Sequence, residues 1–113
     1  MNKKATGNIG EEEAVNYLKK LGYKIVGRNV VCGGVEVDII AKDGDTYVFC
    51  EVKTRNNQDF GLPVEAVTIF QQKRYVFAAK NFVNAKRLAN IDIRFDIIGI
   101  QNDDITHYID AFC

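Results

Sequence analysis

Two strand-like runs, Val35 to Ala41 and Thr46 to Lys53, flank the turn signal Asp43-Gly44, and this arrangement constrains the fold more than any other part of the chain. If both runs are strands, the turn folds them into a hairpin. A two-residue turn at Asp43-Gly44 sets Lys42 opposite Asp45, and the same register carried onward sets Asp38 opposite Phe49 and Glu36 opposite Glu51. Side chains alternate along a strand, so Phe49, Glu51 and Lys53 share one face, and the register adds Asp38 and Glu36 to it. Asp38 and Glu51 are then diagonal neighbours, with β-carbons up to about 7–8 Å apart. Carboxylates at that separation reach a single Mg²⁺, whose oxygen ligands lie at about 2.0–2.1 Å. A slip of one residue would turn Asp38 to the opposite face and remove the pairing.

Tyr47-Val48-Phe49-Cys50 is apolar on both faces, which predicts a central strand covered on both sides. Glu51 and Lys53 interrupt that strand, where a charge is costly unless it is paired or metal-bound. Taken singly, each is an ordinary surface charge, and together they also suit a structural ion pair at a strand end. With Asp38 added, the set has the chemistry of a divalent-metal phosphodiesterase. Carboxylates would hold the metal, which polarises a scissile phosphate and lowers the pKa of a bound water. Lys53 would orient that water or offset charge developing on phosphorus.

The remaining pattern supplies a scaffold. Ala14, Tyr17, Leu18 and Leu21 recur at helical spacing between Gly7 and Leu21, with Gly22 as the stop. Glu11, Glu12 and Glu13 fall in the first turn, where the helix dipole alone accounts for acidic residues. Tyr23 to Val31 reads as a first strand and Gly33-Gly34 as a loop. Asn56 to Pro63 reads as a loop beside the site. A second helix begins at Thr68, with Ile69, Val76, Phe77, Phe82 and Val83 as its apolar positions, and ends between Asn81 and Ala89. Thr68-x-x-Gln71 fits a capping box, leaving Gln72 as the better candidate to face the site. Lys73, Arg74 and Lys80, with Arg55, offer a phosphate-contacting patch, although charged helix faces are usually only solvated. Ile91 to Ile100 alternates as a strand, and Thr106 to Phe112 adds an edge strand. The order α, β, β, β, α, β, β implies an α/β fold with a mixed sheet flanked by helices.

With 113 residues, the chain fits one domain, 1–113, with its own core. Fifteen basic residues balance fifteen acidic ones, so any nucleic-acid surface must arise from local clustering. Cys32, Cys50 and Cys113 are odd in number and widely spaced, which suits reduced thiols, with Cys50 as a buried apolar residue. His107, alone in the chain, receives no role. The start lacks the apolar stretch of a signal peptide and no long apolar run follows, so a cytoplasmic protein without a membrane partner is expected.

Several segments together resemble a known family. Gly10-Glu11 with Ala14, Tyr17 and Leu18, Gly22-Tyr23, Arg28-Asn29, Glu36-Val37-Asp38, the run Val48 to Arg55, the run Phe60 to Thr68, and Arg94-Phe95-Asp96 look like the YraN family of small bacterial proteins. The resemblance covers nearly the whole chain, from about Gly7 to Ile98. That family is similar to the archaeal Holliday junction resolvases and to the PD-(D/E)XK nucleases, whose fold is restriction-endonuclease-like with an αβββαβ core. The resemblance implies Asp38, Glu51 and Lys53 as the catalytic Asp, Glu and Lys of that motif. It also implies Glu11 as a further metal ligand beside Asp38 and Glu51, while Glu12 and Glu13 stay surface charges. Val35 stands where the family usually has glycine, and Val37 replaces the superfamily's proline before the aspartate.

Two functions follow as expectations. The first is an Mg²⁺- or Mn²⁺-dependent DNA endonuclease of DNA repair or recombination, acting on branched, nicked or flapped DNA, with Arg55, Gln72 and Arg74 positioning the phosphate backbone. A homodimer is expected by analogy with resolvases. The second is a nucleic-acid-binding or assembly module that keeps the fold without cutting. Zero net charge favours the second, and the intact acidic set favours the first, because carboxylates beside phosphates repel them without a cation.

Overall fold

The computed structural model describes residues 3–55 and 66–113, so the expected loop Asn56 to Pro63 lies outside the described residues. Helix α1 (Lys3–Lys20) is followed by strands β1 (Lys24–Cys32), β2 (Val35–Asp43) and β3 (Thr46–Arg55), then helix α2 (Ile69–Ala85) and strands β4 (Asp92–Gln101) and β5 (Asp104–Phe112). The five strands form one mixed sheet in the order β1-β2-β3-β4-β5. Only β3 and β4 run parallel, joined by the crossover through α2. The fold is α/β, and its αβββαβ succession is compatible with the restriction-endonuclease-like core that the resemblance implies.

Local chemistry sets the element ends. Tyr23 N–H bonds Leu18 O and Gly22 N–H bonds Lys19 O, each at 3.0 Å, while Gly22 holds φ +92°. This is a Schellman stop, for which glycine is the favoured residue. Thr68 caps α2, accepting from Gln71 N–H while the Gln71 side chain accepts from Thr68 N–H, so the expected capping box is present.

One core lies on each face of the sheet. Ala14, Val15 and Leu18 of α1 pack with Ile39, Ala41, Val48, Cys50, Ile98 and Ile100. Tyr75, Ala78, Ala79 and Phe82 of α2 pack with Val35, Val37, Ile40, Phe49 and Phe95. Strand β3 is thus central and covered on both sides, as its sequence predicts. Two expectations are corrected on α2: Ile69 and Phe77 are apolar yet 66% and 52% exposed, because the buried stripe follows Tyr75, Ala78, Ala79 and Phe82 instead. Leu21 is likewise exposed, and Val15 takes its place in the core.

The hairpin forms with a different register. Asp43 pairs with Thr46, Lys42 with Tyr47, and Ile40 with Phe49, so the turn is Gly44-Asp45. Gly44, at φ +61°, stands at the first central position, where a type II′ turn requires glycine. Asp38 therefore does not face Phe49, nor Glu36 Glu51. The ladder is displaced by two residues, which leaves Phe49, Glu51 and Lys53 on one face and brings Asp38 level with Glu51.

Candidate functional site

The pairing of β2 with β3 ends at Ile39↔Cys50. Beyond it, side chains replace the backbone ladder. The Tyr75 hydroxyl, carried in by α2, accepts from Asp38 N–H at 3.1 Å and lies 3.4 Å from Cys50 O, to which it donates. The Asp38 carboxylate accepts from Val52 N–H at 2.9 Å. Strand β2 also changes phase here: Val35 and Val37 pack with Ile40 on the α2 face, while Ile39 faces α1. Across the strand pair, between Arg28↔Ile39 and Val30↔Val37, Asn29 adopts φ +51°. The carboxylate of Asp38 thus sits where two strands part, in place of a ladder bond.

A cleft of about 280 Å³ opens at this point, lined by Val35, Glu36, Asp38, Glu51, Gln71, Arg74 and Tyr75. Lys53 Nζ lies 3.2 Å from Glu51 Oε1, and both side chains are largely covered. Burial first, then the Glu51 carboxylate and more weakly Glu11, push the Asp38 carboxyl up to about 7, against the Val52 N–H bond and Lys53, which lower it. Burial and the same two carboxylates, Glu51 then Asp38, raise the Tyr75 hydroxyl well above its ordinary range, so it remains a protonated donor.

Glu11 belongs to this neighbourhood. It is buried at 8% exposure and accepts from Asn29 Nδ2 at 3.2 Å. At the preceding Gly10, α1 lies close to β3: a β-carbon there would crowd Oγ1 of Thr54, which would have to turn away. Glu12 is exposed and pairs with Arg28. Of the two glutamines, Gln71 both caps α2 and lines the cleft, whereas Gln72 donates to Val67 O at 3.3 Å and is not among the lining residues. Arg74 lines the cleft, and Arg55 is the half-buried last residue of β3.

Among the described residues, no three carboxylate, imidazole or thiolate side chains form a ready metal cage. The donors that do converge are oxygen ligands, Asp38 and Glu51. Such donors suit Mg²⁺ or Mn²⁺, and Mg²⁺ is commonly bound by one or two carboxylates while keeping waters. Burial and, after it, the neighbouring Glu51 carboxylate raise Asp38, a cost that a cation at these oxygens would relieve, so the donor chemistry suits a divalent ion.

A second polar cluster escaped the sequence. Asp96, fully buried, is bonded by Arg94 Nε at 2.9 Å and Nη2 at 3.0 Å, by Asp110 N–H at 3.0 Å, and by His107 Nε2 at 2.7 Å. His107 Nδ1 lies 3.2 Å from the Tyr17 hydroxyl, and Arg94 also reaches Tyr23 and Asp43 at 2.7 and 3.0 Å. His107 thus has a structural place, although nothing near it in sequence signals one. Burial alone would raise the Asp96 carboxyl, but the His107, Arg94 and Asp110 bonds hold it below the ordinary range.

Comparison with known proteins agrees with the motifs. The family described as "Uncharacterised protein family UPF0102" matches residues 10–100. A UPF0102 protein of Caldicellulosiruptor saccharolyticus is 49% identical over 88% of this chain and 85% of its own length. Another, from Geotalea daltonii, is 45% identical over 96% of this chain and 90% of its own. One from Clostridium acetobutylicum is 46% identical over 91% and 87%. The chain belongs to the UPF0102 family, the YraN-like proteins that its Gly10-Glu11, Glu36-Val37-Asp38 and Glu51-Val52-Lys53 segments resemble.

Proposed function

We propose that this protein is a divalent-metal-dependent phosphodiesterase acting on nucleic acid, a DNA endonuclease of resolvase-like type. The observation that carries the reading is the parting of β2 from β3, where Asp38 and Glu51 line one cleft with Lys53 held against Glu51. A fold that buries one carboxylate beside another, raising the first to about 7, sacrifices stability for an anionic pocket. Mg²⁺ or Mn²⁺ bound between them would neutralise charge on a phosphodiester and lower the pKa of a water.

The chain's own groups do the rest. Asp38 and Glu51 supply the oxygen ligands, and Glu11 adds negative potential at Asp38. Val52 N–H and the Tyr75 hydroxyl fix Asp38 in orientation. Were Glu51 to hold a cation, the Lys53 ammonium now paired with it would be free to orient the attacking water or stabilise charge on phosphorus. Arg74 and Gln71 line the cleft and would hold a non-bridging phosphate oxygen. Repair or recombination substrates, branched or nicked DNA among them, follow from the resolvase resemblance.

Incubation with linear, nicked, flapped and four-way DNA in Mg²⁺ or Mn²⁺ tests this. Metal-dependent cleavage is expected, reduced at least about a hundredfold in Asp38→Asn and in Lys53→Ala. Binding without cleavage, unchanged by either substitution, would instead identify a non-catalytic binding module.

A further inference from the structure

From Ala66 to Ile91 the chain contains no acidic residue, yet it holds Lys73, Arg74, Lys80, Lys86 and Arg87, a third of the fifteen basic residues in a chain of zero net charge. Helix α2 lies within that run, its N-terminal turns at the cleft. Its outer face is an unbroken exposed stripe, Phe70, Lys73 with Arg74, Phe77 and Lys80, at the three-to-four-residue spacing that places side chains in line. Phe70 and Phe77 are 69% and 52% exposed, and the Arg74 guanidinium stands 5.8 Å from the Phe70 ring centroid.

We infer that this stripe is a track for an unpaired polynucleotide strand, with Phe70 and Phe77 as base-stacking platforms and Lys73, Arg74 and Lys80 as phosphate partners. Aromatic rings alternating with cations are the recognition chemistry of single strands, whose bases expose π-faces that a duplex hides. The rise from Phe70 to Phe77 is about 10 Å at 1.5 Å per residue. At about 3.4 Å per stacked nucleotide, that spans roughly three nucleotides. Charge selects a polyanion over a second copy of this chain, since two α2 faces in contact would oppose cations with no anion between them. Arg74, between the two rings of the track, also lines the cleft. Resting on the phosphodiesterase reading, it makes the preferred substrate one with a single-stranded segment beside the scissile bond, such as a flap or the exposed strand of a branch.

Binding measured in EDTA separates this from catalysis. A fluorescein-labelled oligo(dT) is expected to bind more tightly than a duplex of equal length. Phe70→Ala with Phe77→Ala should weaken the single strand about tenfold or more and the duplex less than twofold. Both rings are exposed, so folding is not at stake. The chain contains no tryptophan, so Phe70→Trp installs a lone indole that oligo(dT) should quench and inorganic polyphosphate should not. Lys73→Ala with Lys80→Ala should weaken both nucleic acids and flatten the salt dependence by about two phosphate contacts. Tighter duplex binding, unchanged oligo(dT) affinity in the double phenylalanine variant, or an unquenched indole would overturn the track. Self-association abolished by the phenylalanine variants, with oligo(dT) binding intact, would assign the stripe to a second copy. Loss of cleavage on every DNA with quenching preserved would refute the phosphodiesterase alone.

Discussion

At the scale of single residues, Asp38 meets a conflict between folding and chemistry. Its carboxyl titrates near 3.8 in an unfolded chain and near 7 in the folded one, because burial, Glu51 and Glu11 all disfavour the charged form. The folded state therefore holds the extra proton between those values. The stability tied to this residue is complete below about pH 4 and falls as pH rises through the window; above about pH 7 it is lost. Urea unfolding of the metal-free protein should show a decline of about 2–4 kcal/mol between pH 4.5 and 8 from this group. Asp38→Asn keeps an acceptor for Val52 N–H without the charge, so it should flatten that limb and raise stability at pH 8. Mg²⁺ at a hundred times its dissociation constant should restore about 3 kcal/mol to the wild type at pH 8 and little to Asp38→Asn. A wild-type profile flat from pH 4.5 to 8 would show that the carboxylates are not crowded.

Among the elements, the β2–β3 pair shows how a site can be legible in a sequence whose register is not. The three residues Asp43, Gly44 and Asp45 allow two turns: an Asp43-Gly44 type I′ turn needs positive φ at Asp43 as well, which Asp43 does not adopt, whereas a Gly44-Asp45 type II′ turn needs it at Gly44 alone. Because the side-chain period is two, the resulting two-residue displacement keeps Glu51 and Lys53 on their face, and the acidic set survives it. The phase change at Asp38 had no such protection. It depends on Tyr75, thirty-seven positions away, entering the sheet, and no local pattern encodes that. Helix α2 was legible in its cap, where Thr68 and Gln71 are three residues apart, but not in its burial. Apolar Ile69 and Phe77 lie off the stripe that small Ala78 and Ala79 allow close to the sheet. Tyr75 itself gives a test at this scale. Tyr75→Phe leaves Asp38 N–H and Cys50 O without their shared partner and should cost about 1–3 kcal/mol. Faster amide exchange at Asp38, with distant strands unchanged, would mark the loss as local. An unaltered urea midpoint would mean that water replaces the hydroxyl.

Across the whole molecule, two apolar layers hold the helices to the sheet, and the Asp96 cluster ties together parts that the layers leave separate. Through Arg94 and His107 it joins β4 and β5 to Asp43 at the end of β2, Tyr23 after α1, and Tyr17 within α1. His107 lies eleven residues from Asp96 and ninety from Tyr17, so only the assembled sheet reveals the connection. Asp96→Asn removes the buried one of the two carboxylates paired with a largely covered Arg94, Asp43 being the other, and should cost up to about 3–5 kcal/mol, the usual penalty for breaking a buried pair. Its pH dependence opposes that of Asp38. The Asp96 carboxyl sits below its unfolded value, so its stabilisation is present above about pH 4 and disappears as pH falls through the folded pKa. The opposed limbs of Asp38 and Asp96 bound a maximum between them. The metal-free protein should therefore be most stable near pH 4–5 rather than at neutrality. Mg²⁺ should carry that maximum toward pH 7 by holding Asp38 ionised. Asp96→Asn, if it folds, should lower the whole curve and soften its acid limb, leaving the Mg²⁺-sensitive limb in place. A maximum that stays near pH 7 without metal, or an acid limb as steep in Asp96→Asn as in the wild type, would dissociate these two carboxylates from the pH response of the fold.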